Sequence, residues 1–168
     1  SCHPETLWDK NLMISSDFPH YVREGIENGV YSNDDLIKPG IGGVAIYLNG
    51  AIGGLMAVEK NCSIDDPWSG QTYITPDFDK AKSQGMQIAY AAISALARSS
   101  DIHGSGSIGI TSRTIELPVK NCIYRLGARF GVIDRGYSRR RHMRTEIAYV
   151  TIGPASFLTY PGEVYPEL

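Results

Sequence analysis

In the stretch "SSDFPHYVREGIENG", Phe18, Val22 and Ile26 recur every four residues and share one face. Ser15, Ser16 and Asp17 ahead of them supply N-cap oxygens. Pro19 suits a first turn, where its missing N–H costs nothing, and Gly29 suits the C-cap. The spacing predicts a helix over about 18–28. Before it, a first segment runs to about Leu12 and ends in a short apolar stretch.

Beyond that helix, "YSNDDLIKPGIGG" reads as a polar loop punctuated by Gly and Pro, leading into "VAIYLNG", a run of β-formers that reads as a buried strand. "AIGGLMAV" follows, and its paired glycines allow close backbone approach. From Glu59 to Pro76 there is no apolar periodicity, which predicts a long loop. Asp77 then caps the strongest helix, "FDKAKSQGMQIAYAAISALARSS". There Ala81, Ile88, Ala92 and Leu96 mark an apolar face, and the many alanines predict close packing against a sheet.

The last third begins with "GSIGITSRTIELPV", a strand pattern with Ile108 and Ile110 alternating, then Ile115 and Leu117. "NCIYRLGARFG" reads as a short amphipathic helix ended by glycine. Glu146–Ile152 and Ser156–Tyr160 form a hairpin signal joined at Gly153-Pro154. Helix and strand signals interleave, so the fold class is α/β or α+β, a mixed β-sheet flanked by helices.

The chain has 168 residues, the size of one domain able to bury a substantial core. Its 42% apolar and 20% charged content is that of an ordinary globular protein. A net charge of −2 provides no overall field to recruit nucleic acid, so no nucleic-acid partner is expected. No apolar run approaches the ~18 residues of a membrane span, and no stretch of this sequence reads as a signal peptide. Cys2, Cys62 and Cys122 are too few and scattered for a disulfide framework or a Cys-based zinc site. They read as small buried or half-buried thiols, with one disulfide plus a free thiol as the alternative.

Candidate chemistry gathers at the two extremities. His3 precedes Pro4, which biases its backbone toward extended geometry and lets the imidazole project as a metal ligand. Glu163 follows the apolar run Phe157–Tyr160 on a turn made by Pro161 and Gly162, well held for metal ligation or general-base work. The plain alternatives are a hydrogen-bonded or surface histidine and a solvated turn carboxylate. His20 falls in the first turn of a helix, where the dipole disfavours a cation, and reads as a surface residue. Asp101-Ile102-His103 looks like a linker. Arg135, Arg139, Arg140, Arg141 and Arg144 make a basic cluster that reads as a solvated face, with anion binding as the alternative. Walker, HExxH and GxSxG motifs are absent.

Four stretches, in order, resemble the neutral, non-lysosomal ceramidase family: "CHPETLWDKNLMISSDFPHYVREGIENG", "GGVAIYLNGAIGGLM", "FDKAKSQGMQIAYAAISAL" and "IGPASFLTYPGEVYPEL". They span nearly the whole chain. The resemblance implies a zinc-dependent hydrolase in which a metal-bound water attacks an amide carbonyl, the zinc held by two His, a Glu and a Tyr. By that carry-over His3 is the second His ligand and Glu163 the Glu ligand. Gly54 and Met56 line the pocket, and Met56 stands where the family places an active-site Ser. Met can neither attack a carbonyl nor donate a hydrogen bond, so a serine nucleophile is excluded there while a zinc-hydroxide route is not.

The first His and the Tyr ligand would lie outside this chain, which looks like the middle of a longer catalytic domain. Zn²⁺ is expected in the complete protein, with weak metal binding and little hydrolysis by these 168 residues alone. The implied partner is a small-molecule or lipid amide substrate, with peripheral membrane contact and an extracytoplasmic (secreted or periplasmic) setting. The rival implication is a non-catalytic scaffold of the same type that binds a lipid or glycan.

Overall fold

A computed structural model describes residues 2–55, 60–99, 106–133, 137–138 and 141–166. Met56, the Asp101–His103 segment and Arg135, Arg139 and Arg140 of the basic cluster lie outside the described residues. The chain divides into two compact units, residues 1–102 with 164–168, and residues 103–163. Its class is α+β, three helices with small antiparallel sheets. A mixed sheet was expected, but every strand pairing among the described residues is antiparallel. Hairpins need only short turns, whereas a parallel pair needs a long crossover.

The first unit is built on two helices. The first, α1, spans Phe18–Asn28, as its spacing predicts. Asp17 caps it from an unusual backbone, φ 59° and ψ −149°, a region that only glycine adopts freely. Its Oδ1 accepts the Phe18 N–H at 2.6 Å and its Oδ2 the Leu7 N–H at 2.9 Å. The cap therefore also ties down the N-terminal segment.

Gly29 ends α1 at φ 126° and starts strand β1, Gly29–Ser32, which pairs with β2, Asp35–Pro39. The predicted loop over "YSNDDLIKPG" is thus a hairpin. Asn33 and Asp34 both take positive φ, 47° and 66°, the demand of a two-residue turn that matches strand twist. The segment expected as one long loop carries a second, smaller hairpin, β3 (Ile64–Asp65) and β4 (Thr72–Tyr73).

The second helix, α2, spans Phe78–Leu96 with Asp77 at its N-cap, the side chain accepting the Lys80 N–H at 3.0 Å. Its buried face differs from the expected one. Ala81, Gly85, Met86, Ala89 and Ile93 face inward, while Ile88, Ala92 and Leu96 are exposed. The partner is α1 rather than a sheet. A Cβ on Gly25 would stand 2.6 Å from the Cβ of Ala89, and one on Gly85 would stand 2.5 Å from the Cβ of Tyr21. Two missing side chains thus set the approach of the helices, and the face that can come closest is the one that is buried. Two apolar clusters result, Leu7, Phe18, Val22 and Ala81 in one, Val30, Met86, Ala89 and Ile93 in the other. Lys80 is fully buried, and its Nζ donates to the carbonyls of Cys62 (2.7 Å) and Ile74 (3.2 Å), fastening the loop between them to α2.

"VAIYLNG" does not form the buried strand its composition predicts. Its alternation survives, with Ala45 and Tyr47 turned inward and Val44, Ile46 and Leu48 exposed. The backbone bonds of Ala45 go to side chains of α1: its N–H to Glu27 (2.8 Å) and its carbonyl to Arg23 (3.0 Å). Tyr47 packs edge-on against Phe18 with ring centres 5.8 Å apart. A β-prone run becomes a strand only where a neighbouring strand accepts its ladder.

The second unit centres on a long antiparallel pair, β5 (Ile108–Pro118) and β7 (His142–Ile152), in register from Ile108↔Ile152 to Pro118↔His142. Between them in sequence lie α3, Cys122–Arg129, and β6, Tyr137–Ser138. The N-cap of α3, Asn121, accepts the N–H groups of Ile123 and Tyr124. The predicted hairpin at Gly153-Pro154 is present, joining β7 to β8, Ala155–Leu158, with Gly153 at φ 54°. Ile108 and Ile110 of the alternating pattern are exposed, and so are Leu12, Met13 and Ile14 of the first unit.

Candidate functional site

The N-terminal segment is held in place by its own turns and by both helices. The Glu5 N–H reaches the His3 carbonyl at 2.9 Å and the Trp8 N–H the Glu5 carbonyl at 3.1 Å, with Trp8 at φ 53°. Thr6, fully buried, donates to Gln84 Oε1 of α2 at 2.6 Å. Together with the Leu7–Asp17 bond these contacts fix the backbone around His3.

His3 is buried, and its Nδ1 hydrogen-bonds the carbonyl oxygen of Leu55. A carbonyl only accepts, so Nδ1 carries the hydrogen and the neutral ring has its lone pair on Nε2. An imidazole oriented through one nitrogen by a backbone carbonyl is the usual arrangement of a metal-binding histidine. In this respect His3 fits a zinc ligand.

Leu55 belongs to a turn in which its own N–H reaches the Ile52 carbonyl at 2.9 Å. The same turn meets the C-terminal segment, because Gly53 donates its N–H to the Val164 carbonyl at 2.8 Å. Gly54 sits at φ 72°, and a side chain on it would collide with the Tyr165 ring. Residues near the start of the chain, the glycine turn and residues 164–165 therefore converge within the first unit. Beside the N-terminal segment opens a cavity of about 410 Å³, apolar at Pro4, Leu7 and Trp8 and polar at Glu5, Asp9 and Asn11. Lys60 approaches its edge, 3.4 Å from Asp9 and 6.0 Å from the centre of the Trp8 ring.

Glu163 is exposed on the Pro161-Gly162 turn, where Gly162 takes φ 127°. It is the last residue of the second unit. Among the described residues no group of three or more His, Cys, Asp or Glu could hold a metal ion. His20 is exposed, 3.7 Å from Glu24 and packed on Tyr21, in keeping with a surface role. Cys62 and Cys122 are exposed rather than buried, Cys2 is half-buried, and none forms a disulfide.

A second constellation was missed in the sequence. Asp66 is buried at the head of the turn that joins β3 to β4, and its Oδ1 accepts the N–H groups of Trp68 and Ser69, each at 2.9 Å, and the Ser32 hydroxyl at 3.3 Å. Burial pushes the carboxyl up, but the hydrogen bonds from Ser69, Trp68 and Ser32 outweigh it and hold Asp66 below its ordinary value. Burial also raises the phenol of Tyr73, aided by the charges of Asp66 and Asp79. The legible signal was "DDPWSG", an Asp placed to accept from the backbone two and three residues on.

No protein-family model matches this chain, and neither a curated protein nor a solved structure does. No helix among the described residues is long and apolar enough to cross a membrane.

Proposed function

We propose that this chain carries part of the centre of a zinc-dependent hydrolase of the neutral ceramidase-like type, cleaving an N-acyl amide bond, with His3 a ligand through Nε2 and Glu163 the carboxylate ligand. The observation that supports this reading best is the bond between His3 Nδ1 and the Leu55 carbonyl, which presents the opposite nitrogen as the ring's lone-pair donor. Zinc, when bound, supplies a Lewis acid that activates water for attack on an amide carbonyl at neutral pH. The chain's own part is positional. The Leu55 carbonyl holds the tautomer, and Gly54 lets the Tyr165 ring close over the turn. The cavity bounded by Pro4, Leu7 and Trp8 offers apolar wall to an acyl or long-chain amine portion, with Asp9 and Asn11 toward the polar end.

The test is the zinc content and N-acylsphingosine hydrolysis of the protein that carries this chain, compared with His3→Ala and Glu163→Ala variants. Stoichiometric zinc and amide cleavage, both lost in each variant, is the expected result. A well-folded wild-type protein that takes up no zinc overturns the reading, and if it binds lipid it fits the non-catalytic scaffold instead.

A further inference from the structure

A cavity of about 280 Å³ opens in the first unit between the β1–β2 hairpin, the β3–β4 hairpin and the first turns of α2. Its lining is polar and chemically mixed. Two of its side chains are buried and keep unused hydrogen-bonding capacity. Ser83, only 4% exposed, accepts at Oγ from Gln87 Nε2 at 3.2 Å. The same Nε2 donates to the Asp65 carbonyl at 2.9 Å, so both amide hydrogens of Gln87 are committed and its orientation is fixed. The Ser83 hydroxyl hydrogen is then left to donate, and no acceptor takes it among the described residues. Asp66, 6% exposed, uses Oδ1 for two backbone N–H groups and Ser32. Its Oδ2 lies 3.4 Å from the Ser32 hydroxyl, and the Ser69 hydroxyl also bonds the carboxylate, which leaves lone pairs of the two oxygens to spare.

A buried carboxylate with lone pairs to spare and a buried hydroxyl with a hydrogen to spare thus line one cavity, together with Tyr31 and Tyr73. Each demands a partner of the opposite kind. A group that donates through one hydroxyl and accepts through its neighbour meets both demands, and flat C–H faces suit the aromatic border. Three carboxylates (Asp34, Asp66 and Asp79) against the single ammonium of Lys82 disfavour an anion such as phosphate. We propose that this cavity binds a polyhydroxylated ligand through adjacent hydroxyls, a sugar in free form or as a unit of a glycan. The site is independent of the zinc reading and stands if that reading fails.

Backbone amide shifts of the full chain, followed by NMR during titration with methyl glucoside, methyl galactoside and N-acetylglucosamine, test it, with lactose and cellobiose as the glycan arm. Shifts at residues 32, 66 and 83, saturating by about 20 mM, are expected, because so few contacts support roughly millimolar affinity. Tighter binding of a disaccharide identifies a glycan as the source, and equal binding identifies the free sugar. Ser83→Ala removes one small hydroxyl, leaves the helix intact and is expected to weaken binding roughly five- to tenfold. Asp79→Asn, at the rim, provides a second variant should the first disturb the fold. Silence toward all five sugars overturns the proposal. So does sugar binding that neither variant changes, or binding of inorganic phosphate or ethanolamine in place of sugar.

Discussion

His3 Nδ1 and the Leu55 carbonyl oxygen are joined across 52 residues of sequence. This bond fixes which imidazole nitrogen carries the hydrogen in the neutral ring. At about pH 8, where a histidine is ordinarily neutral, NMR of the ring nitrogens should report the hydrogen on Nδ1. Gly54→Val should disturb that signature, because the position sits at φ 72° and faces the Tyr165 ring. A non-glycine side chain in that conformation costs roughly 1–2 kcal/mol, before any steric cost. A wild-type ring carrying its hydrogen on Nε2 would remove the basis for His3 as a ligand.

Gly25 and Ala89 set the spacing of the helix pair. Gly25→Ala places two Cβ atoms 2.6 Å apart, and α1 and α2 must separate. Overpacking of this kind costs about 1–3 kcal/mol. The double variant Gly25→Ala/Ala89→Gly should recover part of that loss in urea unfolding. Additive losses in the double variant would show that the contact is not limiting.

Asp17 serves two elements at once. In Asp17→Ala the Phe18 N–H loses its cap and the buried Leu7 N–H is left without an acceptor, a loss of about 2 kcal/mol or more. Hydrogen exchange should show residues 3–8 opening well below the global unfolding energy. Asp17→Asn keeps an acceptor oxygen and should retain most of the protection. Unchanged exchange in Asp17→Ala would refute the two-element role.

Asp66 gives the fold an acid-side dependence whose sign follows from its depressed pKa. The unfolded carboxyl titrates near 3.8 and the folded one below it. The stabilisation is therefore complete above the unfolded value and is lost as pH falls through the folded one. Thermal midpoints measured from about pH 6 down to about pH 2 should fall less steeply in Asp66→Asn than in wild type at the acid end. Parallel profiles would mean that Asp66 gains nothing from its hydrogen bonds.

The helix starts and the end of α1 were legible because their determinants are local, whereas α2, read through residue 100, ends at Leu96 with no glycine or proline to mark it. Asp17 with Pro19, Asp77, and Gly29 satisfy or terminate backbone groups within one turn of themselves. The Gly153-Pro154 hairpin was legible for the same reason. The Asn33-Asp34 hairpin carried an equally local signal that was overshadowed by its polar surroundings.

What the sequence by itself determined, then, is where the helices start and where the Gly153-Pro154 hairpin turns, and that the ends of the chain carry a His and a Glu worth testing. Only the tertiary structure decided which face of α2 is buried, because that depends on a glycine and an alanine 64 positions apart finding each other. It likewise left Val44–Leu48 without a ladder, turned His3 to Leu55 and collected Ser83 and Asp66 around one cavity. Caps and turns act over a few residues, so a short stretch of sequence specifies them. Contacts between distant side chains exist only after the chain between them has closed, and no local pattern encodes which pairs then meet.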